Sequence, residues 1–300
     1  MVGGMIRTAV AFCGSEVCVA HEERVRLYRW GEARPQWSQT VKGAIRAVAF
    51  TPQVVYVATE TALFRFPRRP YEPTQRHDLP LRTGAATCLW AREAQVGLLT
   101  ERGGLWHATH PDMRWQPLAL SKAALTSVAL WKSQAVVADS AGQVYRLELE
   151  PMRVVQRWEG GLGGVNSWAW HPDGRWVAAA CADGLVKLWS PQSGKLVQVF
   201  ASHRLPPQLL AVNPEGSRLV SYGMDGLLFF YDVAQGRARL DAPLYAPDSA
   251  EHALALHWES TRQLWLLTES GFYSCALPEG RWRAQPFQQE RPRTSGDEGG

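Results

Sequence analysis

Residues 165–200 read VNSWAWHPDGRWVAAACADGLVKLWSPQSGKLVQVF, and this stretch decides the fold. An alternating apolar run from Val165 to Trp170 ends at a turn, His171-Pro172-Asp173-Gly174. A second run reaches Cys181, the pair Asp183-Gly184 turns the chain, and a third run alternates with period two to Trp189. Ser193-Gly194 then introduces a fourth, Lys195 to Phe200. Asp-Gly between two β-rich runs is a strong hairpin signal, because a type I′ turn needs positive φ at both central residues. Four short strands in roughly 40 residues make one antiparallel meander.

The meander repeats. Aligned on the turn held by Gly184, the same slot falls at Arg24, Ala62, Gly104, Gly142, Gly226 and Gly271. Successive anchors are about 38, 42, 38, 42, 42 and 45 residues apart. First strands recur in step, at residues 8–12, 45–50, 86–90, 125–130, 208–212 and 253–258. No segment sustains a period of 3.6, so helices are expected to be nearly absent. A lone four-stranded unit cannot bury both apolar faces, so the units are expected to close into a ring. The predicted fold is all-β, a seven-bladed β-propeller of four-stranded antiparallel blades over residues 1–287, with a disordered tail at 288–300. Each blade has its own four strands counted from Thr8, so no terminal strand need complete the opposite end's blade. Residues 1–6 could still add one.

Blades five and six resemble the WD-repeat family: HPDGRW stands where that family has SPDG plus an apolar residue, and ADGLVKLWS where it has DDG…LWD. SPQSGKLVQVF is also similar to motifs in the propellers of quinone-dependent dehydrogenases, but HPDGRW favours WD repeats. The resemblance implies a buried network of His, Ser or Thr, turn Asp and Trp that stiffens a blade. Blade five offers Asp183 and Trp189, with Cys181 in the Ser position. Blade six offers His203, Asp225 and Tyr231, with Gly223 in the Ser position. The network is thus partial, and apolar packing is expected to hold most of the ring.

The composition is that of a globular chain, 46% apolar and 20% charged, and its 14 Trp and 8 Tyr suit strands. Five cysteines, Cys13, Cys18, Cys88, Cys181 and Cys275, are odd in number and scattered, which suits reduced thiols in a cytoplasmic protein. Cys13 and Cys18 flank a short turn and are placed to face each other. No apolar run reaches the ~18 residues a membrane span needs. His107, His110 and Asp112 are too few to argue a metal site, and neither a nucleophile elbow nor a Walker-type loop is present. The expectation is no enzyme, no cofactor, no metal and no small-molecule substrate.

Each turn before an anchor carries a carboxylate: Glu22 and Glu23, Glu60, Glu101, Asp139, Asp183, Asp225 and Glu269. Turns on the opposite face carry bases, among them Arg34, Arg68, Arg69, Arg114, Arg153, Lys195, Arg237 and Arg281. A two-faced charge distribution would steer partners of opposite sign to opposite faces, although turns are polar in any case. The favoured reading is a non-catalytic protein-protein interaction scaffold, a subunit of a larger complex. Its contact residues are the acidic turns, Met224 beside Asp225, and the loop PRRPYEPTQRHD (67–78) with Arg68, Arg69 and Arg76. The alternative is a propeller that binds nucleic acid through its Arg-rich face, since the net charge is +4.

Overall fold

The computed structural model describes residues 9–68, 72–80, 84–161, 163–233, 237–238, 244–245, 253–277 and 281–288. Seven antiparallel sheets follow one another along the chain, each paired in chain order from first strand to fourth. The described residues contain no helix. In blade five the strands are Val165–Trp170, Val177–Cys181, Val186–Trp189 and Leu196–Phe200, within a residue of the sequence reading. First strands of successive blades lie side by side around the axis.

Alternation explains why a ring forms. In the second strand of blade two, Val54–Ala58, every residue is buried. Its pleat sends Val55 and Val57 toward blade one, and Val54, Tyr56 and Ala58 toward blade three. Among the described residues the core divides into seven apolar clusters, one between each pair of neighbouring blades. The seventh closes the ring: Tyr28 and Trp30 of blade one pack on Trp265 and Phe272 of blade seven. Phe287 stacks on Tyr28 at 4.5 Å, and the Gln288 amide donates to the Ala33 carbonyl. Gln288 therefore belongs to the ring and not to the tail.

Indole N–H groups stitch blades together. Trp168 donates to Ser127 Oγ (2.9 Å), Trp170 to the Ala129 carbonyl and Trp258 to the Ala211 carbonyl, each on the preceding blade's first strand.

Two expectations need amendment. The Pro-rich stretch DAPLYAPDSAE (241–251) reads as a connection before blade seven, yet Leu244–Tyr245 pairs with Leu227 and Leu228 of blade six. The fourth strand of that blade is thus split between Arg237–Ala238 and Leu244–Tyr245. Cys13 lies opposite Glu16 and Cys18 opposite Ala11, so the two thiols do not face each other, and the five cysteines are reduced thiols. Blade seven has four strands of its own. Residues 1–6 and 289–300 fall outside the described part.

Candidate functional site

One end of the ring gathers the turns between second and third strands with the connections from each blade to the next. The seven carboxylate turns converge there, but their carboxylates do two different jobs. In blades two, three and seven a threonine ends the second strand and caps the turn. Thr59 Oγ accepts from Ala62 N, Thr100 Oγ from Gly104 N and Thr268 Oγ from Ser270 N. The adjoining Glu60, Glu101 and Glu269 are left exposed. In blades four to six an aspartate is itself the cap. Asp139 Oδ1 accepts from Ala141 N and Gln143 N, while Oδ2 accepts from Ser121 Oγ and Tyr145 Oη. Asp139 is buried and fully used within its blade, which corrects its assignment as a contact residue. Asp183 accepts from Leu185 N and pairs with Lys187, whose ammonium also reaches the Gly160 carbonyl.

Blade six holds a complete relay. Asp225 accepts from Arg204 N, Leu227 N and His203 Nδ1 (3.1 Å). His203 Nε2 lies 2.6 Å from Ser221 Oγ, which lies 2.8 Å from Tyr231 Oη. One proton arrangement satisfies the chain: Tyr231 O–H to Ser221, Ser221 O–H to Nε2, and Nδ1–H to the carboxylate. The sequence reading assigned the Ser position to Gly223, and the structure moves it to Ser221. Gly223 leaves room instead, since a Cβ there would stand 2.3 Å from His203 Nδ1. In blade five the slot equivalent to Ser221 is Ala179, not Cys181; Trp189 is buried in the Tyr231 position, and Lys187 braces the turn in place of a histidine. Burial drives the Cys181 thiol up to about 12.

Ser221, His203 and Asp225 have the order of a nucleophile, base and orienting acid. However, the His203 side chain is 0% exposed and Ser221 is buried, so no substrate reaches the hydroxyl. The relay is a brace. Burial holds His203 below its usual pKa, against the opposing pull of Asp225.

Above this brace sit two exposed apolar side chains, Met224 at 61% and Leu205 at 48%. The Met224 amide donates to the Pro206 carbonyl, which sets the two segments side by side next to exposed Arg204. Met224 was read from sequence, whereas Leu205 was missed; its signal is an apolar residue inside the polar connection 201–206. The other predicted contacts are spread out. Glu22 and Glu23 are exposed, and Glu23 accepts from Gly43 N; Glu60 pairs with Arg46, and Glu101 accepts from Ala85 N. Exposed acids therefore form an arc over blades seven, one, two and three, with Lys42 and Arg102 exposed among them. At the opposite face Arg68 is clamped by both oxygens of Glu16, Arg153 pairs with Glu148, and Arg92 lies near Glu93 and Glu150. Arg76 pairs with Asp78, and Arg69 lies outside the described residues.

The family model described as "WD domain, G-beta repeat" matches residues 152–190, from the fourth strand of blade four to the third strand of blade five. WD repeat-containing protein 36 of Homo sapiens is 31% identical over 81 residues, covering 27% of this chain and 9% of that protein. Target of rapamycin complex subunit wat1 of Schizosaccharomyces pombe is 27% identical over 93 residues, 31% of this chain and 29% of that protein. Transcription initiation factor TFIID subunit 5 of Caenorhabditis elegans is 25% identical over 150 residues, 50% of this chain and 20% of that protein. The chain thus spans under a third of the length of each of these relatives. Among solved structures, the computationally designed Ika8 protein superposes with a TM-score of 0.73 at 16% identity, over 94% of this chain and 87% of its own. A chain of a mitotic checkpoint complex superposes at 0.67 and 14% identity, over 79% and 75%. At such identities the likeness is one of fold.

Proposed function

We propose that the chain is a WD-type β-propeller and a non-catalytic interaction platform that works as a subunit of a multiprotein assembly. The observation that carries this is the Leu205–Met224 patch. Two large apolar side chains stand in water on a turn locked by the Asp225–His203–Ser221–Tyr231 relay, where their exposure contributes nothing to folding. A rigid base also lowers the entropy a partner must overcome when it buries them. Two relatives are named as complex subunits, of a target of rapamycin complex and of TFIID, which supports the same reading by analogy. Five reduced cysteines support a reducing, cytoplasmic setting as part of the proposal.

A nucleic-acid platform is less favoured, because Arg68, Arg92 and Arg153 each have a carboxylate beside them, leaving less uncompensated charge for phosphates. The test is affinity isolation of the tagged protein from its own cells at moderate salt, beside the variant Met224→Glu. Stoichiometric proteins that co-elute with wild type and are lost from a variant of unchanged melting temperature are expected. Full retention of those proteins by Met224→Glu, or a turnover activity abolished by a point mutation, would overturn the proposal.

A further inference from the structure

The interface between blades two and three packs an apolar cluster, and a group of polar side chains lies beside it. Tyr56, Arg65 and Gln75 stand directly opposite one another on three adjacent strands of blade two, and His77 lies one row away, opposite Leu63. Directly opposed residues share a face, as do residues two apart on a strand. Tyr56 and Leu63 pack on blade three, so Arg65, Gln75 and His77 face it too. Blade three answers with Met113 and Trp115 from the connection after its third strand, both packed on the same cluster.

Four buried polar atoms meet here without a partner among the described residues: Arg65 Nε, Gln75 Oε1, His77 Nε2 and Trp115 Nε1. Buried polar atoms ordinarily have partners, and buried cations are ordinarily paired. Arg65 is only 8% exposed; it pairs with Glu72 at 3.6 Å and hydrogen-bonds Tyr56, which leaves its Nε without a partner among the described residues. Glu72 lies in the connection between the strands Ala62–Pro67 and Gln75–Asp78, so the loop expected over 67–78 ends in a strand, and the Glu72 side chain is 42% exposed. His110 shares this field: burial and Arg65 lower its pKa while Glu72 raises it, and His77 is lowered by burial, His110 and Arg65. Both imidazoles are thus pushed toward the neutral form, in which one ring nitrogen of each carries an N–H donor. The Gln75 amide can turn to present its NH2.

We propose that this notch receives an oxyanion carried by a protein segment, a carboxylate or a phosphate ester, with Arg65 supplying the charge, His77 and Trp115 the N–H donors, and Glu72 the intramolecular occupant that the ligand displaces. A planar guanidinium suits both anions bidentately. The site is separate from the Leu205–Met224 patch, and its test does not depend on that patch.

The experiment titrates the whole chain with three probes while reading histidine ring resonances by NMR. The probes are inorganic phosphate, a short Glu-rich peptide, and the same peptide with a central phosphoserine. Saturable shifts confined to His77 and His110 are expected, weakening as salt rises. Glu72→Gln removes a partly exposed competitor, so its affinity should rise about two- to fivefold. Arg65→Met should abolish the response; should it fail to fold, Arg65→Lys, which keeps the charge and loses the fork, should weaken it. Tighter binding of the phosphoserine peptide would identify a phosphate ester, and tighter binding of the Glu-rich peptide a carboxylate. No saturable shift with any probe in folded Glu72→Gln, or equal affinity of folded Arg65→Met and wild type, would overturn the proposal.

Discussion

Replacing Ser221 by Ala should destabilise the ring far more than loss of one hydroxyl suggests. Ser221 Oγ sits 2.6 Å from His203 Nε2 and 2.8 Å from Tyr231 Oη, and both Ser221 and the His203 ring are buried. Without the hydroxyl, Nε2 has lost its donor and no water reaches it, a penalty of about 1–3 kcal/mol, with about 1 kcal/mol more for the bond to Tyr231. The expected loss is about 2–4 kcal/mol. Tyr231→Phe alone removes the bonds to Ser221 and Ser202 and leaves Ser221 able to donate to His203, so about 1–2 kcal/mol is expected. The double variant should lose less than the sum, by about 1 kcal/mol, because the bond between the two is counted twice. Urea unfolding at pH 7.5, followed by tryptophan fluorescence and far-ultraviolet dichroism, measures all three, provided the two probes coincide. A loss under about 0.5 kcal/mol for Ser221→Ala would refute the relay, that being the range of ordinary surface substitutions. Strict additivity would refute the shared bond. Blade five shows why the magnitude is local to blade six: with Ala179 and Trp189 in these slots, it needs no relay.

Acid should destabilise the fold through its histidines. Burial lowers the pKa of His77, His107, His110, His171, His203 and His257 from 6.5, so the folded state binds fewer protons than the unfolded one. Their contribution is present above pH 6.5 and is lost as pH falls through that value toward the folded pKa. The urea midpoint should therefore drop below that pH, and His203→Gln should flatten the dependence; an equally steep profile would remove His203 from the account. Thiol reactivity makes a separate expectation. Burial raises Cys18 and Cys181 to about 12 and Cys88 to about 11, leaving half-buried Cys13 to react first with a chromogenic disulfide at pH 8. Rapid reaction of all five cysteines without denaturant would contradict the packing of the interblade clusters.

The blade pattern was legible because it is local. The turn at Asp183-Gly184 and the alternation on both sides need no knowledge of the rest of the chain, although of the two residues only Gly184 takes a positive φ (89°), so the turn is not the type I′ the pair suggests. Ser221 was misplaced because turn spacing alone pointed to Gly223, two residues on along the same face; the His203 ring fills the space over Gly223, so the hydroxyl that meets Nε2 comes from Ser221. The seven turn carboxylates looked equivalent for a similar reason. Whether Glu60 is exposed and Asp139 is consumed depends on Thr59 capping one turn, and on Ser121 and Tyr145 closing on the other. The notch at Arg65 had no signature at all, since its four unpartnered atoms come from two strands of blade two and a connection of blade three that only the packing of one blade on the next brings together.

What the sequence by itself determined was the number of blades, their strand order and their turns, because strand period and turn chemistry act over a few residues. Only the tertiary structure decided which polar groups are buried, which are paired and which face a partner. Those outcomes depend on the neighbouring blade some 40 residues away, across an interface whose register no local pattern encodes.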